Sequence, residues 1–128
     1  MPGLNIDATS RTPAVILDDK AGFFSLIGES YPEDITGFYG PIRVALNEAM
    51  AKADGAFNVE IKLVYFNSSS ARVLMEIMDQ MDEKADADLA VSVAWYCDPD
   101  DEITREFAED ISEDLSHINF SIIDETID

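Results

Sequence analysis

The residues with the clearest capacity for chemistry are three consecutive serines, Ser68, Ser69 and Ser70, which follow Asn67. They separate an apolar run that ends at Phe66 from a segment with helical periodicity, so they lie at a strand-to-helix junction. One serine is predicted to cap the helix by accepting a hydrogen bond from an unpaired backbone N–H group. A helix N-terminus also favours phosphate, because its N–H groups and its dipole attract negative charge. A phosphoserine site at this junction is therefore the second interpretation of the run.

A serine nucleophile is not expected in this chain. A nucleophilic serine needs an adjacent base, and the only histidine, His117, lies near the other end of the sequence. No Gly-x-Ser-x-Gly turn surrounds the serines, and the sequence has no glycine-rich phosphate loop. We interpret His117 as a surface residue at a helix end, and Met75, Met78 and Met81 as core residues.

The second candidate is the segment 97–102, CDPDDE, in which four carboxylates follow Cys97 within five residues. Clustered oxygen ligands can hold magnesium or calcium, so a small metal-dependent enzyme built on Asp98–Glu102 is one alternative. The spacing lacks the glycine and the distal glutamate of an EF-hand loop. A turn in which one aspartate caps the next helix accounts for the same residues, and we favour it. Neither a metal nor a cofactor is predicted.

The composition limits the partners that this chain can bind. Its 27 acidic and 8 basic residues give a formal net charge of −19, and 47% of its 128 residues are hydrophobic, enough for the core of one domain, 1–128. Nucleic acid and direct membrane insertion are not expected, whereas a protein with a basic patch is a natural partner. Cys97 is the only cysteine, residues 1–13 do not resemble a signal peptide, and no run approaches the roughly 20 apolar residues of a membrane span. These features predict a cytoplasmic protein.

Hydrophobic periodicity predicts the elements that position the candidate residues. Apolar runs and alternation predict five strands, at 14–17, 23–27, 57–66, 89–95 and 118–123. Apolar residues at helical spacing predict three helices, at about 41–53, 70–85 and 103–115, with Pro41 at the first helical position. The strand that ends at Val64 and Phe66 is apolar on both faces there, so that end is expected to be central. The order β-β-α-β-α-β-α-β predicts a mixed sheet with an antiparallel hairpin followed by parallel strands.

Three blocks, 28–33, 65–70 and 93–100, resemble signature stretches of the SiaC family of bacterial regulatory phosphoproteins. Residues 4–6 with Thr12-Pro13, and 107–110 with 113–114, resemble the family too, so the likeness covers nearly the whole chain. The resemblance implies an α/β fold like that of the STAS (SpoIIAA-like, anti-sigma-factor-antagonist) domains and a binding protein without enzymatic activity. It further implies phosphorylation by a SiaB-like kinase, dephosphorylation by a SiaA-like PP2C phosphatase, and activation of a SiaD-like diguanylate cyclase by the unphosphorylated form. Cyclic di-GMP and biofilm formation would then be its output.

The resemblance also assigns roles to residues. The family's phosphate acceptor directly follows the asparagine of the Asn-Ser/Thr-Ser-Ser block, so the resemblance implies that Ser68 is the phosphorylated residue. Threonine is common at this position in the family. Ser69 and Ser70 remain alternative acceptors. We expect partners to contact the Asn67–Ser68 junction together with the loop of Tyr31, Pro32 and Glu33, since function concentrates in loops at sheet edges. The alternative output is transcription, with the chain acting as an anti-sigma-factor antagonist.

Overall fold

The structure, a computed structural model, describes residues 3–86 and 88–126. Within these ranges the chain forms six strands and three helices: β1 (Leu4–Ile6), β2 (Ala14–Asp18), β3 (Phe23–Ser30), α1 (Ile35–Lys52), β4 (Ala56–Phe66), α2 (Ser68–Lys84), β5 (Ala90–Cys97), α3 (Glu102–Glu113) and β6 (Asn119–Asp124). Among the described residues, no helix combines the length and the apolar character needed to cross a bilayer.

The strands form one mixed sheet in the order β1-β2-β3-β4-β5-β6. The β1–β2 and β2–β3 pairs are antiparallel and the other three are parallel, so the predicted mixed α/β sheet is confirmed. The predicted order lacked β1, because three residues are too few to show an alternating pattern. The pairing of Leu4 with Leu17 and of Ile6 with Val15 holds this short strand at the edge of the sheet.

All three helices pack on one face of the sheet. Successive right-handed crossovers between neighbouring parallel strands place their helices on the same side. Alternate strand residues on this face are buried with the helices in one apolar core, which includes Phe24, Leu26, Phe57, Val59, Ile61, Val93 and Trp95. The opposite face carries more exposed side chains, such as Ile16, Asn58 and Ser121.

Helix α1 begins at Ile35, six residues before Pro41, so the predicted start of this helix was wrong. Its N-cap is Asp34, whose side chain accepts a hydrogen bond from the Gly37 N–H group, and Pro41 lies inside the helix. A proline interrupts the backbone ladder but does not end a helix whose apolar side is buried, and Tyr39, Ile42 and Leu46 all lie in the core.

The apolar stripe of α2 is largely as predicted. Leu74, Ile77, Met78 and Met81 are fully buried, whereas Met75 is 45% exposed and is not a core residue. The predicted apolar stripe of α3 consists of Ile103, Phe107, Ile111 and Leu115. Ile111 is buried and Phe107 and Leu115 pack against the core, whereas Ile103 is 80% exposed, so the prediction is wrong at that residue. Its neighbour Thr104 is 4% exposed, so the buried side of α3 begins at Thr104 and not at Ile103.

Candidate phosphorylation and partner-binding site

Asn67, and not a serine, caps helix α2. The Asn67 backbone is extended (φ −88°, ψ 178°), and its side-chain oxygen accepts a hydrogen bond from the Ser70 N–H group at 2.9 Å. The Asn67 carbonyl accepts the Ala71 N–H group at 2.9 Å. The helix therefore starts at Ser68, two residues before the predicted start, and the predicted serine cap is wrong. Asparagine and serine are nearly equal as N-caps, so local sequence alone does not decide between them.

The three serines have different environments. Ser68 and Ser69 occupy the first two helical positions and are exposed. Ser70 is fully buried, and its hydroxyl lies 2.8 Å from that of Ser30 at the end of β3. The first turn of α2 contains no acidic side chain, so the positive end of its dipole is not offset locally. The two exposed hydroxyls can receive a phosphate without opening of the fold, whereas the Ser70 hydroxyl cannot.

The loop that follows β3 lies beside this junction. Ser30 pairs with Phe66 in the β3–β4 ladder, and its carbonyl accepts the Asn67 N–H group at 3.2 Å. The Tyr31 and Tyr65 rings meet edge to face, with centroids 5.6 Å apart. Both Tyr31 and Pro32 are half-buried and Glu33 is exposed. The structure thus brings the Tyr31–Glu33 loop and the Asn67–Ser68 junction to one edge of the sheet.

A β-bulge explains why Tyr65 reaches this surface. The β3–β4 register shifts between Gly28 and Glu29: Gly28 pairs with Leu63 and Glu29 with Tyr65, so Val64 has no partner on β3. Bulges redirect side chains and concentrate next to functional sites. Tyr65 is 52% exposed, although simple alternation with buried Leu63 would place it toward the core. Strand β4 lies between β3 and β5, but beyond Ile61 it pairs, among the described residues, only with β3, and Val64 and Tyr65 are exposed, so the prediction of a central end is wrong.

Arg11, which lies in the segment before β2, holds the Tyr31 loop in place by a hydrogen bond and an ion pair. Its carbonyl accepts the Tyr31 N–H group at 2.7 Å, and its guanidinium forms an ion pair with Glu33. Sequence reasoning missed both Arg11 and Tyr65 as parts of this surface. The available signals were an exposed aromatic residue in a strand end and one of only eight basic side chains in a strongly acidic protein.

The acidic segment Asp98–Glu102 lines a cavity at the same edge of the sheet. Pairing between β4 and β5 ends at Ile61 and Trp95, and a cavity of about 450 Å³ opens beyond it, lined by Leu63, Val64, Asp98, Asp100 and Asp101. Asp101 caps α3, as the preferred interpretation predicted, by accepting the Thr104 N–H group and hydroxyl at 3.0 and 2.6 Å. Asp98 accepts the Asp100 N–H group at 3.0 Å. Within residues 3–86 and 88–126, no group of three or more histidine, cysteine, aspartate or glutamate side chains is placed to hold a metal ion.

His117 lies away from this edge and is exposed, in agreement with its interpretation as a surface residue. The backbone N–H groups of Ser116, His117 and Ile118 donate hydrogen bonds to the Asp82 carboxylate of α2 at 2.8 to 3.1 Å. Burial raises the pKa of Asp82, but these three backbone donors and the nearby His117 side chain outweigh it and lower that pKa below its ordinary value. Asp82 therefore anchors the segment between α3 and β6, and it has no contact with the serine run.

Comparison with known proteins identifies the family. The sequence pattern of a family described as "SiaC family regulatory phosphoprotein" matches residues 6–125. An uncharacterized protein of Pseudomonas aeruginosa strain UCBPP-PA14 is 33% identical over 116 residues, which covers 91% of this chain and 92% of that protein. The crystal structure of apo-SiaC from P. aeruginosa is similar with a TM-score of 0.86 and 32% identity, covering 96% of this chain and 99% of the other. SiaC in a crystal structure of the diguanylate cyclase SiaD with its activator SiaC, from the same organism, gives a TM-score of 0.87 and 32% identity over 95% of this chain and 99% of the other. The chain therefore belongs to the SiaC family of regulatory phosphoproteins.

Proposed function

We propose that this protein is a partner-switching regulator whose unphosphorylated form binds and activates a SiaD-like diguanylate cyclase, and that phosphorylation of Ser68 ends the activation. The observation that carries the proposal is the exposed Ser68 hydroxyl at the first position of a capped helix, in a chain of the SiaC family. The similarity to a SiaC that was crystallised with the cyclase it activates supports the choice of partner.

The protein acts by binding, in the cytoplasm, and the whole chain serves as one regulatory domain. A SiaB-like kinase adds the phosphate and a SiaA-like PP2C phosphatase removes it. The alternative of an acidic-cluster enzyme has less support, because Asp98 and Asp101 accept hydrogen bonds from their own segment. Cyclic di-GMP produced by the activated cyclase then promotes biofilm formation.

The partner surface combines Asn67 and Ser68 with Tyr31, Pro32 and Glu33. The edge-to-face contact of Tyr31 with the exposed Tyr65 supports this choice, since it extends the surface with a second aromatic ring. Aromatic side chains that are partly exposed at a rigid edge are common anchors in protein interfaces. The high negative charge of the chain favours a basic surface on the partner.

Phosphorylation blocks the interface locally and leaves the fold intact. The phosphate adds about −1.5 to −2 charges at neutral pH, at a helix end that stabilises negative charge. A partner that closes over Ser68 must remove water from this group, which opposes binding. The Ser68 hydroxyl is exposed, so its modification displaces no buried side chain.

The test is incubation of the purified protein with a SiaB-like kinase, ATP and magnesium, followed by phosphosite mapping with mass spectrometry. We expect one phosphate, at Ser68, and none on Ser68→Ala. Ser68→Ala should still bind the cyclase and raise its synthesis of cyclic di-GMP. Phosphate mainly on Ser69 would disprove the assignment of Ser68, and failure of the unphosphorylated protein to stimulate any SiaD-like cyclase would disprove the choice of partner.

A further inference from the structure

Three buried hydroxyl groups from three different elements meet behind the serine run. Ser30 ends β3, Tyr39 belongs to α1, and Ser70 lies in the first turn of α2; their exposures are 0%, 1% and 0%. The Ser30 hydroxyl lies 2.5 Å from the Tyr39 hydroxyl and 2.8 Å from the Ser70 hydroxyl. We call these three residues the hydroxyl cluster. Ser30 is its centre, because one serine hydroxyl can donate one hydrogen bond and accept another.

Ser30 also holds the segment Asn67–Ser70 at both of its ends. Its carbonyl accepts the Asn67 N–H group at 3.2 Å, and its hydroxyl bonds to that of Ser70. Between these attachment points, Asn67 accepts the Ser70 N–H group and closes the first turn. Ser68 and Ser69 therefore project from a short segment whose two ends are fixed to the sheet.

Helix ends open more readily than helix centres, because their backbone groups have few partners within the helix. A kinase can modify a serine only when its hydroxyl reaches the kinase active site. For Ser70, this requires the first turn of α2 to open and the hydroxyl to leave the cluster. Such opening removes the Ser70 partner of the buried Ser30 hydroxyl, which is unfavourable.

We propose that the hydroxyl cluster determines which serine of the run is modified, by keeping the first turn of α2 closed and the Ser70 hydroxyl inaccessible to the kinase. Ser30 and Tyr39 are thus positioning residues for the phosphorylation of Ser68. This inference rests on the proposed function, because it requires that a kinase acts on the run.

The chemistry of Tyr39 supports this role. Burial raises the pKa of the Tyr39 phenol, and the hydrogen bond with Ser30 offsets only part of that effect. The phenol is therefore protonated at neutral pH and is able to donate to Ser30. Tyr39 also packs edge to face on Phe38, with ring centroids 4.9 Å apart, which helps to fix its ring.

The experiment compares Ser30→Ala and Tyr39→Phe with Ser25→Ala as the matched control. Ser25 lies in the same strand and is 1% exposed, but it does not belong to the cluster. Each protein is incubated with a SiaB-like kinase, ATP and magnesium, and the fraction of phosphate on Ser68, Ser69 and Ser70 is quantified by mass spectrometry. Hydrogen exchange of the Ser70 and Ala71 amides measures opening of the first turn independently of the kinase.

We expect the Ser70 fraction to rise about tenfold in Ser30→Ala, which corresponds to about 1.4 kcal/mol in the opening equilibrium. Tyr39→Phe keeps the ring and should give a smaller rise, and Ser25→Ala should give none. Faster exchange of the two amides should accompany each rise. An unchanged Ser70 fraction in Ser30→Ala, or an equal rise in Ser25→Ala, would overturn the inference while leaving the proposed function standing. A wild-type protein that carries no phosphate on any of the three serines would instead overturn the proposed function.

Discussion

Replacing Ser68 with glutamate separates the stability of the fold from the affinity of the interface. The carboxylate would occupy the first helical position of α2, whose first turn has no acidic residue. A negative charge there stabilises an exposed helix end by about 0.3–1 kcal/mol. In a domain of this size, that gain corresponds to an increase in Tm of roughly 1–4 °C. We therefore expect Ser68→Glu to melt at or slightly above the temperature of the wild type.

Affinity for the cyclase should change in the opposite direction. The substitution moves the formal net charge only from −19 to −20, and a more negative chain is not repelled by a basic partner surface. The carboxylate must nevertheless lose water when the partner closes over it. We expect binding to weaken by about tenfold, or 1.4 kcal/mol, and authentic phosphoprotein to bind more weakly still because phosphate carries more charge.

The assays are calorimetric titration of a SiaD-like cyclase and measurement of cyclic di-GMP synthesis. Ser121→Glu is the charge-matched control, since Ser121 is exposed on β6 and points to the opposite face of the sheet. The reasoning is wrong if Ser68→Glu and the phosphoprotein both bind as tightly as the wild type. It is also wrong if Ser121→Glu weakens binding as much as Ser68→Glu, because the effect would then come from total charge.

Four further substitutions test other parts of the structure. Tyr31→Ala should weaken cyclase binding by more than about 1 kcal/mol, as expected for an aromatic anchor. Chemical denaturation should show a loss of stability of no more than about 0.5–1.5 kcal/mol, the value of an edge-to-face contact such as that with Tyr65. A loss of stability with unchanged affinity would contradict the proposed surface. Asp82→Asn should destabilise the fold by about 1–3 kcal/mol at pH 7. The pKa of Asp82 is lowered in the folded protein, so the ionised carboxylate stabilises the fold at pH values above the ordinary aspartate pKa. That stabilisation is lost as the pH falls through the lowered pKa of the folded protein. Denaturation curves of Asp82→Asn and wild type should therefore converge in acid. Gly40→Ala should stabilise α1 by about 0.5–1 kcal/mol, since nothing lies within 4 Å of the added Cβ. Gly37→Ala should destabilise α1, because the added Cβ would overlap the Asp34 side chain that caps the helix. Equal effects of the two substitutions on denaturation would refute this account of the cap.

The elements that bury a long periodic face were predictable from the sequence, whereas the first residues of α1 and α2 were not. The stripe of α2 and the alternation of β4 extend over several turns or pairs, so their signals are strong. The start of α1 was misplaced because Pro41 is favourable at a first helical position, while tertiary burial of Tyr39 and Ile42 extends the helix through it. At the start of α2, asparagine and serine are both favourable N-caps, so local sequence does not decide between them. Ser70 is the third helical residue, and its buried hydroxyl bonds to Ser30, which lies 40 positions earlier in the sequence. Local propensity carries no information about such a contact.

The same limit applies to the candidate site. The order of strands was enough to place the Tyr31 loop and the serine run at one edge, because both follow parallel neighbouring strands. The exposure of Tyr65 depends on a bulge, and the ion pair of Glu33 depends on Arg11, which belongs to a segment without regular structure. These features result from the register and from the path of a loop, and neither leaves a periodic signal.

The arrangement explains how a small modification can control a partner without a change of fold. Parallel strands deliver the loop after β3 and the start of α2 to one edge, where Ser30 bonds to both ends of the Asn67–Ser70 segment. The exposed hydroxyls therefore project from a segment attached to the sheet, and a phosphate on Ser68 has little freedom to move out of the way of a partner. The helix dipole lowers the energy of the phosphorylated monomer, whereas the interface with the partner still has to dehydrate the phosphate. Under the proposed function, the dehydration cost arises only in the complex and shifts the binding equilibrium toward the separated proteins, while the dipole keeps the phosphorylated fold stable.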